Sequence, residues 1–149
     1  MSYDVAQLLT MSNDQLDQLF SSSPAGDIPD GPAKGTAIIA SGTQFCAEIA
    51  ELVTLFVWRG KSFDAKRGVL RNRILPLGLN AIVATVYKGP SWLDNKECIV
   101  LDYSETSLVA KWIRDEIRLI APNFYLGRVY WEKTPLIHFA LQFQVADAV

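Results

Sequence analysis

CIVLDYSETSLVAKWIRDEIRLIAPNFYLG, residues 98–127, is the stretch whose reading decides the fold. Its first seven residues alternate, with Ile99, Leu101 and Tyr103 on one side and Cys98, Val100 and Asp102 on the other, as a strand requires. The middle reads as a helix over 107–120. At about 100° per residue, Leu108, Val109, Trp112, Ile113, Ile117 and Ile120 form one apolar stripe. Lys111, Arg114, Asp115 and Arg118 then share the opposite face, where i,i+3 and i,i+4 pairs form. Ser104 or Ser107 caps this helix, and Pro122 helps end it. Glu116 falls inside the apolar stripe. A carboxylate packed there must be protonated, or paired with a cation and hydrogen-bonded. Either state suits a functional site, but a structural ion pair or a Glu bending out at the helix end is the commoner reason for such a position.

Downstream, FYLGRVYW (124–131) sets Phe124, Leu126, Arg128 and Tyr130 against Tyr125, Gly127, Val129 and Trp131. After a short turn, LIHFALQFQ (136–144) has one apolar face of Ile137, Phe139, Leu141 and Phe143, with His138 on the other. Upstream, AIVATVY (81–87) is strongly β-branched, and KGPSWLDNKE (88–97) carries turn residues. Residues 81–87 and 98–104 therefore form a hairpin. In RGVLRNRIL (67–75), Arg67, Arg71 and Arg73 share a face, as a solvated edge or a cationic wall for a carboxylate.

Towards the N-terminus, TQFCAEIAELVTLFVW spaces its apolar residues for a helix over about 43–57, with Thr43 as cap and Arg59-Gly60 as stop. GTAIIAS (35–41) reads as a short strand. SSSPAGDIPDGPAKG (21–35) holds three prolines and three glycines, which exclude helix and central strand; it reads as an ordered connector, the favoured choice, or as a flexible lid. Ser12 with Gln15 is a capping-box pattern opening an N-terminal helix, and residues 4–9 form a turn or short helix before it.

At 149 residues, 50% hydrophobic and 20% charged, the chain is read as one domain. Residues 1–34 are its helical segment and connector, and 35–144 its β-rich core. A net charge of −2 gives no footprint for nucleic acid. No apolar run spans a bilayer and the N-terminus has no basic leader, so a cytoplasmic location is expected, without membrane insertion. Cys46 and Cys98 sit in apolar runs and read as buried thiols, a single disulfide between them staying open. One histidine and no paired Cys/His motif give no metal site, and no cofactor is expected. GKS (60–62) is not a phosphate loop, because Leu55 stands where a glycine is required, and no GxSxG elbow occurs.

The pattern is α+β and mainly β: a curved antiparallel sheet or small barrel with an N-terminal helix and two further helices, at about 43–57 and 107–120. Three groups resemble the lipocalin-like, or calycin, class of small barrels: Trp58, Gly60, Lys61 and Phe63; Leu101 to Tyr103; and Tyr125, Leu126, Gly127 and Tyr130. They also resemble small uncharacterised bacterial proteins. The G-x-W pattern near the N-terminus of true lipocalins is absent. The resemblance implies a pocket that binds a small hydrophobic, amphipathic or carboxylate-bearing molecule. Trp58, Lys61, Arg71, Arg73, Tyr87, Tyr125, Arg128, Tyr130 and Trp131 are the candidate wall, together with Tyr103. The alternative is a cofactor-free isomerase, cyclase or dehydratase. In it Glu116 is the general acid or base, assisted by Tyr103, Asp102 or His138. A lone histidine on a strand's polar face is more often an exposed or hydrogen-bonding wall residue, and His138 reads so first. A third reading is a protein-interaction module presenting Trp92, and a homodimer is compatible with the sequence.

Overall fold

The computed structural model describes residues 3–38, 61–74, 79–104 and 112–143. Eight strands form a closed barrel in chain order: β1 (Gly31–Ile38), β2 (Lys61–Asp64), β3 (Val69–Ile74), β4 (Leu79–Pro90), β5 (Glu97–Asp102), β6 (Ile113–Ala121), β7 (Phe124–Trp131) and β8 (Thr134–Phe143). Every neighbouring pair is antiparallel, and β1 closes the ring on β8, Ala33 opposite Phe143 and Ile38 opposite His138. Two short helices, α1 (Val5–Leu9) and α2 (Asn13–Ser21), precede the barrel. Each opens on a capping box, Asp4 with Gln7 and Ser12 with Gln15. No helix among the described residues is long and apolar enough to cross a membrane.

The described part of the helix expected over 107–120 is corrected by β6, residues 107–111 lying outside the described residues. Residues 113–121 are extended and hydrogen-bonded on both sides, to β5 and to β7. Ile113, Ile117 and Ile120 fit helical spacing, but they also fit a strand in which Ile113, Asp115, Ile117 and Leu119 face one way. Two flanking strands supply backbone partners that a surface helix would forgo, and pairing decides the outcome. Ser104 caps no helix. Its N–H and hydroxyl donate to Asp102 Oδ1 at 2.9 and 2.6 Å, turning the chain after β5. Pro122 and Asn123 form the β6–β7 turn, with Asn123 at φ 58°. The helix expected over 43–57 and the candidate Trp58 lie outside the described residues, as do the side chains of Lys61, Arg71 and Arg73.

β1 begins at Gly31, four residues before the expected strand, so the connector's last residues are paired after all. Pro32 sits at the strand's start, where among the described residues pairing with β8 begins at Ala33. Residues 24–30 are an ordered connector, as expected. They cross one end of the barrel: Leu119 N–H donates to Pro24 O at 3.0 Å and Tyr125 hydroxyl to Asp27 O at 2.7 Å. Ala25 and Ile28 join the lumen cluster. Gly26, at φ 74°, passes so close that a Cβ there would stand 2.6 Å from Leu119 Cβ.

Strand alternation divides the core in two. Facing the lumen are Phe63, Leu70, Ala84, Val86, Ile99, Leu101, Tyr103, Ile113, Ile117, Tyr125, Val129, Ile137, Phe139, Leu141 and Phe143. Outside, α1 and α2 place Leu8, Leu16, Leu19 and Phe20 over Ile38, Cys98, Val100, Phe124, Leu126 and Ala140. The face assignments read from alternation in 98–103, 124–131 and 137–143 are those observed; Leu136, expected on the face of His138, packs against the lumen cluster, because the register shifts there.

Candidate functional site

The lumen is packed at the end crossed by residues 24–30. Phe143 makes edge-on ring contacts with Phe63 and Tyr125, at 5.3 and 5.6 Å. Above them Phe139 lies across Gly127, its cross-strand partner, whose absent side chain leaves room for the ring. One layer further from this end, the wall runs Leu101, Asp115, Val129, Ile137 in register. Asp115 is an acid 1% exposed on an otherwise apolar wall, flanked along β6 by Ile113 and Ile117. Beyond it come Tyr103 and the rim pair Ile113–Trp131, with Trp112 against Trp131 at 5.7 Å. Strand registry thus swaps two adjacent acids relative to the helical reading. Asp115 enters the lumen and Glu116 faces outwards.

Glu116 is nonetheless fully buried. Its carboxylate accepts from Ser91 Oγ at 2.7 Å, Trp92 N–H at 2.8 Å, and Arg114 Nε and Nη2 at 3.1 and 2.9 Å. Arg114 also donates to Pro90 O at 2.9 Å and lies 4.3 Å over the Trp92 ring. Two residues on, Arg118 holds Asp94 through two hydrogen bonds of 2.7 Å and reaches the carbonyls of Phe20, Lys96 and Glu97. Glu116 and Arg118 together fasten the 91–96 turn to the barrel's outer face.

The Arg118 hydrogen bonds hold the Asp94 carboxyl at about 2, against the ordinary 3.8. A carboxyl depressed on folding adds stability that is complete above its unfolded value and is lost as pH falls through the folded one. Denaturant midpoints should therefore fall between about pH 4 and pH 2, and an Arg118→Met variant should lose less over that interval than wild type.

A second outer cluster lies where β7 and β8 pass α2. Asp17 Oδ1 accepts from Arg128 Nε at 3.0 Å and meets His138 Nε2 at 2.7 Å. Arg128 Nη1 donates to the Tyr130 hydroxyl. Burial works against the Asp17 charge, but the His138 hydrogen bond and the Arg128 charge prevail and lower its pKa. Burial, then the Glu116 charge, pushes Tyr130 up to about 12. Tyr87 and Asp102 sit apart on the outer face of β4 and β5, the Tyr87 hydroxyl donating to Asp102 Oδ2 at 3.2 Å.

Among the sequence candidates, the fold brings Glu116, Arg128, Tyr130 and His138 to one outer face. Tyr103, Tyr125 and Trp131 belong to the lumen, with Tyr125 at the crossed end and the other two near the opposite end. Asp115 and Asp17 were missed. The signal for Asp115 was the period-two run Ile113, Asp115, Ile117, which the helical reading hid. For Asp17 no local signal existed, because its partners lie more than a hundred residues away, at separations of 111 and 121.

No protein-family model matches the chain, and no curated protein matches it. A protein from Thermomonospora curvata, known from its crystal structure, is similar in fold: TM-score 0.63 and 15% identity, over 95% of this chain and 93% of that one. At that identity the likeness shows the barrel alone.

Proposed function

We propose that the protein binds a small hydrophobic or amphipathic molecule in the barrel lumen, in the manner of a lipocalin-like barrel. The ligand enters from the end opposite residues 24–30. One observation carries this reading: the Asp115 carboxyl, withdrawn from water on an apolar wall one layer above Phe139. An eight-stranded barrel is wide enough for packed side chains or one small ligand, and a few polar groups on an apolar wall orient what binds there. Tyr103 and Trp131 supply aromatic wall, and Asp115 supplies the orienting group, suited to a ligand hydroxyl or amine. The free, buried thiol of Cys98, which burial pushes up to about 12, supports a reducing compartment such as the cytoplasm.

The same burial supports a second reading, a proton-transfer enzyme of isomerase, cyclase or dehydratase type. In it Asp115 takes the role that the sequence suggested for Glu116.

Titration with the neutral reporter N-phenyl-1-naphthylamine tests lumen binding. Wild type should bind one equivalent. Ile113→Trp, which fills the lumen beside Asp115, should weaken binding about tenfold or more. Trp92→Ala, outside the barrel, should change nothing. No saturable binding, or equal affinity in Ile113→Trp, defeats the proposal. Loss of turnover with retained binding in Asp115→Asn would select the enzyme.

A further inference from the structure

We propose that the outer face carries a second ligand site, independent of the lumen, which takes a small hydroxycarboxylate. A groove of about 760 Å³ lies between the 91–95 turn and β7–β8, within the size of small-molecule sites. Its cations are Arg128 and Lys133, and Trp92 and Tyr130 supply aromatic surface. The groove's own acid, Asp94, is neutralised by Arg118.

Arg128 is prepared for an anion. Asp17 on Nε and the Tyr130 hydroxyl on Nη1 fix the guanidinium plane, and Nη2 has no partner among the described residues. A guanidinium held in this way meets a carboxylate with little further ordering. Lys133, exposed on the β7–β8 turn, has no ion pair among the described residues.

The hydroxyl requirement comes from His138. A recess of about 170 Å³ under α2 adjoins the groove, sharing Arg128 and Pro135 with it, and His138 lines it. The His138 side chain is 6% exposed, and its Nδ1 is buried without a hydrogen-bond partner. With Nε2 turned to Asp17, Nδ1 is the ring atom left without a partner, and a hydroxyl, which can both donate and accept, satisfies it. Arg128 and His138 face each other across β7 and β8, a spacing of about 5 Å between side-chain roots. A carboxylate on Arg128 and Lys133 therefore places a hydroxyl on the adjacent carbon towards Nδ1.

Calorimetry with three probes tests the assignment: mandelate, phenylacetate without the hydroxyl, and 1-phenylethane-1,2-diol without the carboxylate. Mandelate should bind saturably, phenylacetate about tenfold more weakly, and the diol not measurably. Lys133→Gln, an exposed change that leaves the fold intact, should weaken mandelate about fivefold. His138→Phe should abolish the preference for mandelate over phenylacetate. Ile113→Trp should leave mandelate binding unchanged, which separates this site from the lumen. Equal affinity for mandelate and phenylacetate in wild type, absence of saturable mandelate binding, indifference to Lys133→Gln, or loss in Ile113→Trp each overturns the proposal.

Discussion

Gly127→Ala is expected to destabilise the protein by about 3 kcal/mol or more, at or beyond the upper end for overpacked cores. A Cβ at this position would stand 2.2 Å from Phe139 Cζ, 2.4 Å from Cε1 and 2.6 Å from Cε2, so the whole ring edge is in the way. Phe139 has no exposed surface to retreat into, and its backbone is held opposite Gly127 by the β7–β8 register. Conformational freedom of glycine plays no part, because the requirement is space alone. Phe139→Ala by itself should cost about 3–5 kcal/mol through the cavity it opens. In the double variant the new methyl enters that cavity, so the two losses should fall well short of additive. Urea denaturation of the four proteins measures this directly. A Gly127→Ala protein within about 1 kcal/mol of wild type would show that Phe139 does not lie across Gly127.

Arg118→Met is the second large effect, with an expected loss of about 3–5 kcal/mol. The guanidinium is 1% exposed, and five hydrogen bonds converge on Asp94 and the carbonyls of Phe20, Lys96 and Glu97. Methionine fills similar volume but removes the cation that pairs with Asp94 and one donor from each of three carbonyls. Asp94 keeps the Lys96 N–H, and the Phe20 and Lys96 carbonyls keep those of Ser23 and Ser91, so the loss comes chiefly from the charge left without its partner. Removing the stranded charge as well, in Arg118→Met with Asp94→Asn, should restore part of the loss. Because the Phe20 carbonyl belongs to α2, amide exchange in residues 13–21 should accelerate in the single variant. A melting point unchanged from wild type would mean that Arg118 is not a buried tie between helix and turn.

The sequence disclosed the strands whose two faces differ in polarity. β8 places Ile137, Phe139, Leu141 and Phe143 inside, and alternation alone identifies them. β6 was opaque because apolar residues at 113, 117 and 120 satisfy a period of 3.6, while the charges between them satisfy neither period cleanly. The deciding fact, backbone partners on both sides, is supplied by residues 97–102 and 124–131 and cannot be seen within the segment. The buried state of Glu116 was read from helical spacing, which surrounds it with apolar neighbours, whereas strand spacing flanks it with Arg114 and Arg118. Its partners were not, since Ser91 and Trp92 reach it only through the β4–β5 turn. The lumen acid was concealed by the same ambiguity, one residue away.

The seam between Ala33 and Phe143 has a consequence for biosynthesis. β1 emerges from the ribosome about a hundred residues before β8, so one side of it lacks its mate until residues 134–143 have been made. The outer surface that receives α1 and α2 is assembled from β1 and β5 to β8, so these early helices must also wait. Such long sequence separation slows folding and leaves the nascent segment to be protected in the interim. Slow refolding from denaturant, limited by ring closure, is what this topology entails.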